Sequence, residues 1–298
     1  MRHPNPMAAF VVCALLVVGG FLSICAAQGP AATKATIAQN DVASAPSALA
    51  TLYANVYLQT SAEYRACCHG IYACAARQLE SALASADPAP ERPAVVMDLD
   101  ETVLDVSAFQ TFLYENNLEY SPEMWADFER TGVDEVSLVP GAKAFIERAE
   151  ELGATVVYLS NRNAANQEWT VAALERLGID TSGISERIYL KPEGGSSDKS
   201  PRREAVAARY DVLMYLGDNL RDFSEVFAAP ELPAEPTAED CLRGIGERSK
   251  GVDEAVGHWG VDWFVLPNPV YGEWEELIGP VPEAILRPPY SEATSGSE

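Results

Sequence analysis

Residues 93–105 read PAVVMDLDETVLD. The first five are apolar without polar alternation, and two Asp follow, two positions apart. A short apolar run of this kind suits a strand buried on both faces of a parallel sheet. In extended chain Asp98 and Asp100 leave the backbone on the same side. A strand over Pro93 to Asp98 therefore delivers two carboxylates at its carboxyl end.

Working outward, four more apolar runs have the same character. They are ATVVYLS (Ala154 to Ser160), IYLK (Ile188 to Lys191), VLMYLGD (Val212 to Asp218) and WFVLP (Trp263 to Pro267). Amphipathic helices alternate with them. Ala142, Phe145, Ile146, Ala149 and Leu152 mark one. Ala173, Leu174 and Leu177 mark another, stopped by Gly178, and Ser200 to Tyr210 forms a third. Strands alternating with helices predict an α/β fold, a doubly wound parallel sheet with helices on both faces.

Two stretches break the alternation. Leu104 to Val139 carries Phe109, Phe112, Tyr114, Tyr120, Trp125 and Phe128 and is expected to form a small, mainly helical cap over about residues 104–139. Ala228 to Gly260 is acidic and Pro-containing and is expected to be a surface excursion. Before the first strand, apolar residues at helical spacing (Leu49, Leu52, Tyr53, Val56, Tyr57, then Tyr64, Cys67, Cys68, Ile71, Ala75) predict two N-terminal helices within 47–85. Asp87-Pro88-Ala89-Pro90 ends them. A single domain over 47–286 and a disordered tail over 287–298 follow.

The N-terminus reads as an address. Arg2 and His3 precede an apolar run from Met7 to Ile24, and Cys25-Ala26-Ala27 follows. A basic start, an apolar centre and a small-residue exit predict a signal peptide over 1–27, cleaved after Ala27 and joined to the domain by a linker over 28–46. An uncleaved anchor is the alternative. Leu22-Ser23-Ile24-Cys25 also resembles a lipoprotein box, so a lipid on Cys25 is the other membrane attachment in view. The protein is expected to be periplasmic or secreted.

Hydrophobic residues make up 48% of the 298 and charged residues 22%, which argues against wholesale disorder. Lys and Arg total 21 against 44 Asp and Glu, for a formal charge of -23. Nucleic-acid binding needs a cationic footprint and is not expected. Beyond Cys25 the cysteines are Cys67, Cys68, Cys74 and Cys241. Cys67 and Cys74, about 10.5 Å apart along a helix, are too distant to bridge. A bond from Cys241 to one of the three and a set of free thiols are both open.

In an open α/β sheet, ligands bind beyond the carboxyl ends of the strands. Here those ends carry Asp98-Leu99-Asp100-Glu101-Thr102, Ser160-Asn161-Arg162 and Gly217-Asp218-Asn219-Leu220-Arg221-Asp222, with Asp198-Lys199-Ser200 before the third helix. Carboxylates converging without a partner repel. A hard dication with oxygen ligands relieves that, and Mg²⁺ is the natural one. Acids, a Lys, a hydroxyl and Mg²⁺ are the parts that hold a phosphoryl group. His69 and His258 have no partner pattern and read as structural. The GxSxG and HExxH patterns of serine hydrolases and zinc proteases are absent.

The order of these pieces resembles the haloacid dehalogenase (HAD) superfamily, whose four motifs are DxDxT, a Ser after a strand, a Lys before a helix and GDNxxD. MDLDETVLD, YLSNR, DKSPRR, LGDNLRDF and VLPNPVYGEWE look like the bacterial class C nonspecific acid phosphatases of HAD subfamily IIIB, which include lipoprotein 5′-nucleotidases. The resemblance covers roughly residues 47–280 and implies a Rossmannoid fold. It implies that Asp98 is the nucleophile forming an aspartyl-phosphate and that Asp100 is the general acid and then base. Ser160 and Asn161 would hydrogen-bond the phosphoryl oxygens, with Lys199 neutralising phosphate and nucleophile. Asp98, Asp100 (through its backbone carbonyl), Asp218 and Asp222 would hold one Mg²⁺ per chain. Thr102, Arg162, Tyr271, Trp125 and Phe128 would face the substrate, a small phosphomonoester such as a nucleoside 5′-monophosphate. Trp125 and Phe128 also suit packing within the cap. A homodimer is implied as well. Transfer of the phosphoryl group to an alcohol, or a non-catalytic binding protein on the same fold, are the alternatives.

Overall fold

The computed structural model describes residues 46–280 and 282–287. They belong to one compact unit, Ala45–Glu298. The expected signal peptide, most of the linker and residues 288–298 of the tail lie outside the described residues.

In chain order, helices α1 (Pro46–Thr60) and α2 (Ala62–Ser85) precede strand β1 (Pro93–Met97). A short strand β2 (Leu104–Asp105), helices α3 (Ser107–Asn116) and α4 (Pro122–Thr131) and strand β3 (Ser137–Leu138) follow. The chain continues through α5 (Ala142–Glu151), β4 (Thr155–Asn163), α6 (Gln167–Arg176), β5 (Ile188–Lys191), α7 (Ser200–Ala207) and β6 (Asp211–Gly217). It ends with α8 (Ala238–Glu254) and β7 (Trp263–Val265).

Five strands form one parallel sheet in the order β5-β4-β1-β6-β7. The side chains of β1 show why the run was uniformly apolar. Val95 and Met97 enter one core with Leu79, Phe145 and Ile146. Ala94 and Val96 enter a second core with Val206 and Tyr210 on the opposite face. Both faces are covered, so alternation has nothing to gain.

After β1 the chain moves outward through β4 and β5, then returns to the other side of β1 for β6 and β7. The order reverses at β1, which creates a crevice at its carboxyl end. Register aligns Met97 with Tyr158 of β4 and with Leu216 of β6. Asp98, next in sequence, donates its backbone N–H to the Leu216 carbonyl at 3.0 Å. Asp98 is thus fixed between the ends of both neighbours.

The mainly helical cap, α3 and α4, stands on a two-stranded stem in which β2 pairs antiparallel with β3, Leu104 opposite Leu138. Strands of two residues are too short to show a period. The stretch 228–260 is not only an excursion, because it contains the 17-residue α8. Thr237 and Asp240 form a capping box at its start, and Cys241 and Gly244 are buried. Glycines at 244, 246 and 251 hid the helix in the sequence. At Gly244 the glycine has a packing reason, since an added Cβ would lie 3.0 Å from Leu277 and 3.1 Å from Pro230. Of the open readings for cysteine, all four described residues are free thiols, Cys68 and Cys241 buried and Cys67 exposed.

Among the described residues, no helix is long and apolar enough to cross a membrane.

Candidate active site

Between Asp98 and β2 the chain reverses tightly. The Leu99 carbonyl accepts from the N–H groups of Val103 and Leu104, each at 2.8 Å. Glu101 adopts φ +53°, uncommon for a residue with a side chain, and is fully buried. Its Oε1 accepts from the Val106 N–H at 3.3 Å, which braces the turn. Asp98 and Asp100 are therefore held by backbone hydrogen bonds on both sides of the strand end.

A second pair of carboxylates arrives from β6. Asp218 follows the strand directly. Asp222 closes a 3₁₀ turn over Leu220–Asp222, where it accepts from the Asn219 N–H at 2.9 Å as part of a capping box. This turn brings the two acids to one side. Gly217 is required there: a Cβ would collide with the Asp222 carboxylate. Oxygen atoms from Asp98, Asp218 and Asp222 all lie within 4.8 Å of one another.

One cation meets this cluster directly. Lys199, at the start of α7, donates from Nζ to Asp98 Oδ1 at 2.8 Å and to Asp222 Oδ1 at 2.6 Å. Its side chain is 5% exposed. Its backbone N–H donates to Glu225 Oε1 at 2.9 Å, and Glu225 is tied through Arg221 to Glu273. Asp218 has neutral partners. Asn268 Nδ2 donates to it at 2.8 Å and the Thr102 hydroxyl lies 3.4 Å away.

Protonation follows from burial. Burial raises the Asp218 carboxyl well above the carboxylate range, and the charges of Asp222 and Asp98 add to it. Burial lifts Asp222 to about 6 against the pull of Lys199. Asp100 is also lifted to about 6 by burial, with Arg162 opposing. Burial disfavours charge on Lys199, but Asp222 and Asp98 outweigh it and its pKa rises. Burial likewise raises the Tyr271 hydroxyl, with the site's carboxylates adding to it.

At the end of β4, Ser160 is buried and its backbone carbonyl accepts from Arg202 Nη1 at 2.6 Å. Arg202 Nη2 donates to Asn161 Oδ1, also at 2.6 Å. With its carbonyl oxygen engaged, Asn161 is left with its amide N–H₂ as the free hydrogen-bonding group. Arg162 is buried and donates from Nε to Asp100 Oδ1 at 2.9 Å.

The cap side chains sit close by. Trp125 and Phe128 pack on Phe109 with centroids 5.1 and 5.2 Å away. The Arg162 guanidinium carbon lies 5.7 Å from the Trp125 ring centroid. Tyr271 is half-buried against the main core, in the loop after β7.

The fold thus brings Asp98, Asp100, Ser160, Asn161, Lys199, Asp218 and Asp222 to one end of the sheet. Thr102 turns to Asp218, Arg162 to Asp100, and Trp125 and Phe128 mainly to each other and Phe109. Sequence reasoning did not single out Asn268, although it lies in the PNPVYGEW stretch beyond β7. It also missed Arg202 as the partner of Asn161. Glu129 of α4 was missed too. It is buried and accepts from the Asn163 N–H at 3.0 Å and Asn166 Nδ2 at 2.5 Å. A lone Glu in a charged helix carries no signal for such a contact.

Residues 20–274 match the family of acid phosphatases that forms subfamily IIIB of the HAD superfamily. The chain belongs to this family. Among solved structures it is similar to the class C acid phosphatase from Bacillus anthracis with tungstate bound, at 28% identity and a TM-score of 0.65 over 83% of this chain and 94% of that one. A second structure of the class C acid phosphatase from Bacillus anthracis matches at 30% identity and a TM-score of 0.64, over 78% of this chain and 89% of that one. This acid phosphatase is accordingly a phosphomonoesterase.

Proposed function

We propose that the chain is an exported phosphomonoesterase that hydrolyses small esters, nucleoside 5′-monophosphates among them, through an aspartyl-phosphate on Asp98. The observation that carries this reading is the imbalance at the site: three carboxylates within 4.8 Å of one another are met directly by one Lys. A hard dication fits that all-oxygen set, and Mg²⁺ held by Asp98, Asp218, Asp222 and the Asp100 carbonyl would neutralise charge on the phosphoryl oxygens. The similar class C acid phosphatase from Bacillus anthracis has been solved with tungstate bound, which supports binding of a phosphate-like oxyanion by this chain.

The chain's own residues then divide the work. An Asp98 carboxylate oxygen attacks phosphorus as the ester P–O bond breaks. Asp100 gives its proton to the leaving oxygen. Lys199 and the Asn161 amide hold the phosphoryl oxygens, with Ser160 beside them. In the second half, Asp100 takes a proton from water as the water oxygen bonds to phosphorus. The bond from phosphorus to Asp98 breaks, inorganic phosphate leaves and the carboxylate is restored. The apolar run Met7 to Ile24 with Cys25-Ala26-Ala27 supports export as a signal peptide.

The test is phosphate release from p-nitrophenyl phosphate and a nucleoside 5′-monophosphate, with Mg²⁺ or with EDTA. Release from both esters that EDTA abolishes and Mg²⁺ restores is the expected result. Release that persists in EDTA would sink the metal reading. No release from either ester with Mg²⁺ present would sink the substrate reading.

A pH effect follows as well. In the metal-free protein Asp100 and Asp222 titrate near 6, above the roughly 3.9 of an unfolded Asp. Between about pH 4 and 6 the folded state holds protons that the unfolded state has lost, so stability falls as pH rises through that window. Mg²⁺ needs the carboxylates deprotonated. The rise in Tm on adding Mg²⁺ is therefore expected to be larger at pH 7 than at pH 5. Thermal melts with EDTA and with Mg²⁺ check this, and an equal rise at both pH values would contradict it.

A further inference from the structure

We propose that Arg162 is a positioning residue that the cap holds against Asp100, not a ligand of the phosphoryl group. The inference rests on the reading of Asp100 as general acid. Arg162 approaches one oxygen only: Nε donates to Asp100 Oδ1 at 2.9 Å, and Nη2 lies 2.8 Å from the same atom. That grip leaves Oδ2 as the atom that gives and takes the proton. A group meant for phosphate would present its N–H donors to the crevice. The Arg162 side chain is 1% exposed and spends its charge on Asp100.

The cap supplies the rest of the grip. Trp125 lies beside the guanidinium, 5.7 Å from ring centroid to carbon. Trp125 is itself fixed by Phe109 and Phe128, at 5.1 and 5.6 Å. Glu129 of α4 accepts from the backbone N–H of Asn163, the residue after Arg162. On the other side, the Arg162 N–H donates to Ser160 Oγ at 3.3 Å. The segment that carries Arg162 is therefore tied to the cap and to the end of β4 together. A buried Arg–carboxylate pair is costly to hold unless its geometry is good, and here the Nε hydrogen bond, the close approach of Nη2 to the same oxygen and an aromatic ring define it. The aromatic Trp125 then serves Asp100 through Arg162 rather than clamping the organic part of the substrate.

Leaving-group dependence tests this. A nucleoside 5′-monophosphate expels a sugar alkoxide and needs the acid, whereas 2,4-dinitrophenyl phosphate expels a stable phenolate and does not. kcat/KM reports the steps through departure of the leaving group. Arg162→Met is expected to lower kcat/KM for the nucleotide by about 10²-fold or more, and for the dinitrophenyl ester by less than about fivefold. Inhibition by inorganic phosphate should change by less than about threefold. Asp100→Asn should show the same split, and Asp100→Asn/Arg162→Met should be no worse on the nucleotide than Asp100→Asn alone. The double variant removes both buried charges, so this comparison stands even if Arg162→Met alone fails to fold.

Equal losses on both esters with weaker phosphate inhibition would overturn the proposal and make Arg162 a phosphate ligand. A further loss in the double variant would overturn it too, because Arg162 would then act independently of Asp100. If Asp100→Asn itself lost equally on both esters, the general-acid reading would fail, and the proposal with it. A leaving-group split in Asp100→Asn but not in Arg162→Met would reject the proposal alone.

Discussion

Asp98→Asn is expected to lower kcat/KM for both p-nitrophenyl phosphate and a nucleoside 5′-monophosphate by at least about 10⁴-fold. The substitution keeps the shape of the side chain, and an amide oxygen at this position still accepts from Lys199 Nζ, now 2.8 Å from Asp98 Oδ1. What it removes is the atom that bonds to phosphorus. It also removes one of three carboxylates that crowd within 4.8 Å. The metal-free variant is therefore expected to melt no lower than the native protein. Loss of turnover with an intact melt separates a missing nucleophile from a broken fold. Retention of more than about a hundredth of the activity would show that another group attacks phosphorus.

Several residues of this site were legible in the sequence because a parallel sheet makes them so. An apolar strand buried on both faces has few polar positions, and those at its carboxyl end stand out. Asp98, Ser160 and Asp218 each follow such a run directly, and the order reversal at β1 brings the three ends together. Lys199 was legible through the DKSPRR stretch before a helix, but its bridge from Asp98 to Asp222 was not.

What the sequence hid depends on contacts between elements that share no period. Arg162 and Asp100 meet because β4 lies beside β1, which no local pattern states. Asn268 reaches Asp218 across 50 positions of chain. The β2–β3 stem is two residues long on each side, below the length at which alternation can be read. In α8 a good capping box was masked by glycines that pack closely or lie on the surface. Each miss is a case in which tertiary placement, not local propensity, decides the role.

Lys199→Met should expose how much of the fold's stability this site consumes. Among the described residues Lys199 is the one cation hydrogen-bonded to the carboxylate cluster, buried between Asp98 and Asp222. Breaking a buried ion pair costs about 3–5 kcal/mol, because the remaining charge is left without a partner. For a unit of this size that corresponds to a fall in Tm on the order of 10 °C. The carboxyls can escape part of the cost by binding protons, as Asp222 already does near pH 6. The fall in Tm should therefore be larger at pH 7 than at pH 5. Removing one positive charge should also tighten binding of Mg²⁺, since the same oxygens then attract it without competition. Activity should still drop by about 10²–10³-fold, the scale of losing one donor that stabilises transition-state charge. Melts at both pH values, titration calorimetry with Mg²⁺ and phosphate release would measure the three effects on one variant. Weaker Mg²⁺ binding in Lys199→Met would mean that Lys199 arranges the carboxylates for the metal. Tighter binding with lost turnover would mean that Lys199 and the metal share the charge of one cluster and divide its work.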